Sequence, residues 1–119
     1  MLISSLKNQA DFDLVNKRGR KLSSRSFIFV VVKNYPKAPK DLESGLFVGM
    51  KVSRKASKKA VVRNKIKRRI RHLIQLANKK VPSFAFCKPG LIVIPKKGLE
   101  EMPFTRLMRE FETIYEEFS

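Results

Sequence analysis

Arg63, Asn64, Lys67, Arg68 and Arg71 form the one group of side chains whose type and spacing suggest a specific chemistry. At helical periodicity they fall on one side of the chain. Val62, Ile66, Ile70, Leu73 and Ala77 fall on the other, with Arg63 at the boundary. Lys67 and Arg71 are one turn apart, as are Asn64 and Arg68. A turn rises about 5.4 Å, comparable with the phosphate spacing of a nucleic-acid strand. Guanidinium groups bind phosphate bidentately, and an amide both donates and accepts. The stretch from Lys51 to Arg71 holds eleven Lys and Arg and no acid in 21 residues. Such a run repels itself unless a polyanion relieves it. These residues therefore predict a nucleic-acid backbone as partner, without deciding between RNA and DNA.

Other chemistries lack their residues. His72 is the single histidine and Cys87 the single cysteine. An internal disulfide and a Cys/His zinc site within one chain are excluded. Cys87 reads as a small, partly buried residue, and His72 as solvated or phosphate-facing. A metal-free nuclease needs a base and an acid of suitable pKa, and a two-metal nuclease needs clustered carboxylates. The acids gather instead in the last helix, at Glu110, Glu112, Glu116 and Glu117, in the pattern of a solvated face. No catalytic residue is expected on the protein, and no protein-held metal. The longest apolar run, Phe27 to Val32, is six residues, far below the roughly 20 that span a bilayer. Met1 to Leu6 lacks the pattern of a signal peptide. The expectation is a cytoplasmic protein with no membrane partner.

The elements that must carry these residues are legible in outline. The 119 residues bear a net charge of +17 and are 43% hydrophobic, enough for one cored domain over residues 1–119. Residues 41–98 carry sixteen basic and two acidic side chains, whereas residues 99–119 carry two basic and six acidic. Asn8 is placed to cap a first helix, with Asp11 as its capping-box partner. That helix runs to about Lys17 and stops at Gly19, read as a left-handed C′ position. A short strand near Lys21 to Ser23 is possible. Ser26 to Lys33 predicts a strand, apolar on both faces, and Ser44 to Ser53 a second, joined to it as a long-looped antiparallel hairpin. Ser57 starts the basic helix, which continues to about Lys79 and closes at Pro82. Leu91 to Ile94 is a short buried strand. Pro103 opens a last helix with the apolar stripe Phe104, Leu107, Met108, Phe111, Ile114, Tyr115 and Phe118.

The segment from Ala60 to Arg71 resembles the signature helix of the protein subunit of bacterial ribonuclease P. Arg63, Asn64, Lys67, Arg68 and Arg71 fall on that family's motif. Lys65 stands where the family has Arg, keeping the charge but not the fork. The strand and basic turn from Phe47 to Lys55, and Asp11-Phe12 followed by Gly19, are also similar to the family. The resemblance implies an α+β, single-domain sandwich resembling the second domain of ribosomal protein S-five. Its expected sheet is mostly antiparallel and four-stranded, in αβββαβα order, with a left-handed βαβ crossover.

It further implies the role of RNA-binding subunit of an enzyme that removes the 5′ leader from precursor tRNA. The catalytic partner is ribonuclease P RNA, one per protein, which holds the magnesium. Arg54, Lys55, Arg63, Asn64, Lys65, Lys67, Arg68 and Arg71 are then expected on the RNA subunit. Phe12, Asn16, Ile28 and Val30 are expected along the single-stranded leader, with Asn16 and Val30 replacing family aromatics. Core packing is the competing reading of Phe12. Phe27 and Phe29, on the opposite strand face, are expected in the core. A structural ribosomal RNA-binding protein is the alternative function. A DNA-binding helix-turn-helix is disfavoured by the strand that precedes the basic helix.

Overall fold

A computed structural model describes residues 2–6, 8–40, 45–80 and 88–117. The elements are β1 (Leu2–Ser5), α1 (Gln9–Arg18), β2 (Arg20–Ser23), β3 (Phe27–Val32), β4 (Gly45–Met50), α2 (Ala60–Lys80), β5 (Gly90–Pro95), a 3-10 turn (Leu99–Glu101) and α3 (Phe104–Glu117). Ser44, Pro82, Cys87 and Phe118 lie outside the described residues.

The five strands form one sheet in the order β1-β4-β5-β3-β2. The α+β class stands, but the expected four-stranded, mostly antiparallel sheet does not. β1 adds a fifth strand, parallel to β4, and β4 is parallel to β5. Only β3–β5 and β2–β3 are antiparallel, so the sheet is mixed. The expected β3–β4 hairpin is also replaced. β5 enters between the two strands, pairing Phe29 with Val93 on one side and Met50 with Val93 on the other. The reason is burial. Leu91, Ile92 and Val93 are each at most 2% exposed, and a strand apolar on both faces belongs at the centre of a covered sheet. α2 is the connection that makes β4 and β5 parallel, as a crossover helix does.

Each face of the sheet has its own core. On one, Phe27, Phe29, Val31, Leu46, Val48, Leu91 and Val93 meet the buried stripes of α2 and α3. Phe111 stands edge-on to Phe27 and Phe29, at centroid distances of 5.0 and 5.2 Å. Such pairs add about 0.5–1.5 kcal/mol beyond area burial. On the other face, α1 covers Val30, Phe47 and Ile92 with Val15, while Leu6 and Tyr35 complete the cluster. The strand that is apolar on both sides is thus covered on both sides.

The ends of α1 show how local chemistry sets the architecture. Asn8 caps the helix through its side-chain oxygen, which accepts from Asp11 N–H at 3.0 Å. The Asp11 carboxylate takes Lys37 Nζ at 2.8 Å, tying the segment after β3 to α1. Gly19 is not left-handed, as its φ is −82°. It is required because the chain turns into β2 against a wall. A Cβ there would lie 2.5 Å from Val15 O and 2.8 Å from Val30 Cγ1.

Candidate nucleic-acid interface

α2 is anchored as its periodicity predicts. Ile66, Ile70, Leu73 and Ala77 are fully buried, Ile74 nearly so, and Val62 partly. Each fully buried Leu or Ile contributes about 1.5–3 kcal/mol by leaving water. With that stripe fixed, Asn64, Lys65, Arg68 and Arg71 are exposed and Lys67 half-buried. Arg54 and Lys55 are exposed in the turn between β4 and α2. The structure therefore sets Asn64, Lys67, Arg68 and Arg71 on the side of α2 opposite its buried stripe, and Lys65 on the flank of the helix one turn before Arg69.

Three residues of the basic run hold the fold itself. The Arg63 guanidinium donates to Ser57 O and Lys58 O, both at 3.0 Å. It closes the loop leading into α2 while remaining at the edge of the cationic face. Ser57 caps that loop by accepting from Lys59 N–H at 3.2 Å, and the helix proper begins at Ala60. Arg69 donates to Leu99 O and Glu100 O at 3.0 Å each and to Met102 O at 2.7 Å. Its planar fork satisfies the carbonyls of the 3-10 turn and fastens α2 to the start of α3. The signal for this was its place on the flank of the helix, away from Lys67 and Arg71. His72, on that same flank, is exposed and lies against the Phe104 ring at 5.2 Å. Val61, 79% exposed at the start of α2, is the large apolar side chain left in water among the described residues.

The opposite face of the sheet holds the other candidates, and it separates them. Phe12 is half-buried, its ring seated on Gly49, where a Cβ would lie 2.6 Å from Cε1 and Cζ. Gly49 thus makes room for the aromatic, and Phe12 is at once a wall of the small core and a partly open surface. Asn16 is exposed one turn along α1. Ile28 is half-buried and paired with half-buried Ile94 on β5. Val30 is 3% exposed beneath α1, which corrects its reading as a cleft residue: α1 packs on it and leaves no surface for a ligand. Ile94, absent from the sequence-based set, is the half-buried neighbour of Ile28 on β5, whose central position was not foreseen.

The acids of α3 are not all a solvated face. Glu110 Oε1 accepts Ser26 N–H at 2.7 Å, capping the start of β3. Burial by itself raises its pKa. Hydrogen bonding with Ser24 and with the Ser26 backbone, joined by the charge of Arg106, more than reverses this and leaves it below the ordinary value. Burial also pushes the Tyr115 hydroxyl well above its usual range. Among the described residues no three His, Cys, Asp or Glu side chains gather as a metal-holding group, and no helix is long and apolar enough to cross a membrane.

A mixed sheet packed on both faces, with a strongly cationic helix held on one of them by a buried stripe, defines a small basic α+β domain. Known proteins make the class particular. The sequence profile described as Ribonuclease P matches residues 3–119. The ribonuclease P protein component of Rickettsia canadensis (strain McKiel) is 50% identical over 114 residues, 96% of each chain. That of Rickettsia peacockii (strain Rustic) is 51% identical over the same length and coverage. Among solved structures, the RNase P protein from Thermotoga maritima superposes with a TM-score of 0.75 at 25% identity, covering 98% of each chain. The Staphylococcus aureus RNase P protein gives 0.68 at 24% identity over 97% of each chain, which speaks for the fold. The chain belongs to the ribonuclease P protein family.

Proposed function

We propose that this chain is the non-catalytic, RNA-binding subunit of a ribonuclease P, acting on the 5′ leader of precursor tRNA in the cytoplasm. The observation that carries the reading is the acid-free cationic side of α2, displayed by the buried stripe beneath it. Arg54, Lys55, Asn64, Lys65, Lys67, Arg68 and Arg71 engage phosphates of the RNA subunit, with Arg63 holding the entry loop in register. One protein serves one RNA. Phe12, Asn16, Ile28 and Ile94 border the path of the single-stranded leader on the other face of the sheet. With one half-open aromatic, this surface holds the leader more by van der Waals contact than by stacking, which is worth about 1–3 kcal/mol per base.

Cleavage chemistry belongs to the RNA, which holds the magnesium ions at the scissile phosphate; the protein supplies charge neutralisation and substrate positioning. Family membership favours this over a structural role on ribosomal RNA. The test is reconstitution. Added to a bacterial ribonuclease P RNA at low magnesium, the protein should restore cleavage of precursor tRNA at the mature 5′ end. No stimulation, together with preferential binding to ribosomal RNA, would support the ribosomal reading.

A further inference from the structure

A groove of about 230 Å³ opens between α2 and the β1–β4 edge of the sheet, on the sheet face opposite Phe12 and Ile28. Val48 and Ile74 are nearly buried and Met50 half-buried, and they form an apolar floor. Ser5, Arg71 and Gln75 form an exposed polar rim. The volume is far above the ~10–15 Å³ that one water needs. Two features say what fits. Lys67, Arg71 and Gln75 follow one another at single-turn intervals along the flank of α2, so a row of cations leads into the groove and ends at an amide. β1 pairs with β4 alone, which leaves its outer backbone edge open among the described residues. Cation, apolar floor, side-chain amide and free backbone groups are together the means of recognising one nucleotide: phosphate, base face and base edge.

We propose that this groove receives an unpaired nucleotide of the RNA subunit, its phosphate on Arg71, its base over Met50 and Ile74, and its edge against Gln75 and the β1 backbone. The proposal rests on α2 facing the RNA subunit. It names the RNA subunit over the leader because the groove continues the cationic row of α2, while the leader surface lies across the sheet. The site distinguishes an unpaired nucleotide from a helix, since a paired base cannot enter it.

Ser5→Trp would plug the groove from its exposed rim, and Gln75→Ala would remove the amide without adding bulk. Affinity for a bacterial ribonuclease P RNA would be measured by filter binding, with thermal melts as the fold control and Arg68→Ala as the control for the α2 face. The expected result is about a tenfold loss for Ser5→Trp, and a smaller loss for Gln75→Ala with an unchanged dependence on salt. In a Cys87→Ser background, Ser5→Cys carrying an aryl azide should cross-link to an unpaired position of the RNA in the reconstituted complex. If Arg68→Ala weakens binding while Ser5→Trp and Gln75→Ala do not, the groove is not a site and the α2 reading survives. If none of the three changes affinity, the α2 reading fails and takes the groove with it. A cross-link confined to the leader of precursor tRNA would overturn the assignment to the RNA subunit. Should Ser5→Trp lower the melting temperature, Gln75→Ala and the cross-link decide.

Discussion

Arg68 and Arg69 are neighbours of identical chemistry with opposite tasks. Arg68 is exposed, whereas Arg69 is spent on three carbonyls of the 3-10 turn. Arg68→Ala should therefore weaken binding to the RNA subunit by about 1.5–3 kcal/mol and leave the melting temperature unchanged. Arg69→Ala should do the reverse, costing about 1.5–3 kcal/mol of stability. Arg69→Lys should not restore it, because a single ammonium does not reproduce a planar fork. Paired filter binding and melts on the three variants check this. Phe12→Ala removes a half-buried ring, so its stability loss should fall below the roughly 3–5 kcal/mol of a fully buried Phe. Affinity of the holoenzyme for precursor tRNA should fall more than affinity for mature tRNA. Equal losses for both substrates would return Phe12 wholly to the core.

At the scale of elements, the ends of helices and strands hold the layers together, and two of these joints can be tested. Gly19→Ala brings a Cβ against a backbone carbonyl and Val30, so α1 must shift off the sheet; the expected loss is about 1–3 kcal/mol, read from the urea midpoint. Glu110 joins α3 to the start of β3 through Ser26 N–H. Its carboxyl titrates below the ordinary value in the folded state. The stability it contributes is present above the unfolded pKa, near 4.5, and is lost as pH falls through the lower folded value. Glu110→Gln should lower the melting temperature at neutral pH. It should also flatten the decline of melting temperature as pH falls below about 4.5. A parallel decline in both proteins would place the acid sensitivity elsewhere.

For the molecule as a whole, charge is the dominant property. A net charge of +17 on 119 residues means that association with RNA is governed by counterion release. Each neutralised phosphate contributes roughly 0.7–0.9 to the slope of log K against log salt. Binding to the RNA subunit should weaken steeply between low and moderate salt, and Arg68→Ala should reduce the slope by about one such contact. A flat dependence would remove the basic run from the interface.

Much of this was written in local sequence. The stripe from Val62 to Ala77 and the cations opposite it are a matter of periodicity alone, because burying one edge of a helix necessarily displays the other. The Asn8 cap, the buried Phe27 and Phe29, and the stripe of α3 follow from equally local rules. Pairing was decided elsewhere. Strand order depends on which apolar segment gains most from burial on both faces. That placed Leu91 to Val93 between β3 and β4, gave Ile94 to the open face, and drew the N-terminal residues in as β1. The same packing lowered α1 onto Val30, turned Arg69 inward and gave Glu110 a backbone amide to cap. A sequence states what each side chain is able to do. Only the tertiary structure determines which neighbours reach it first, because a guanidinium that already donates to three backbone carbonyls is no longer available to a phosphate.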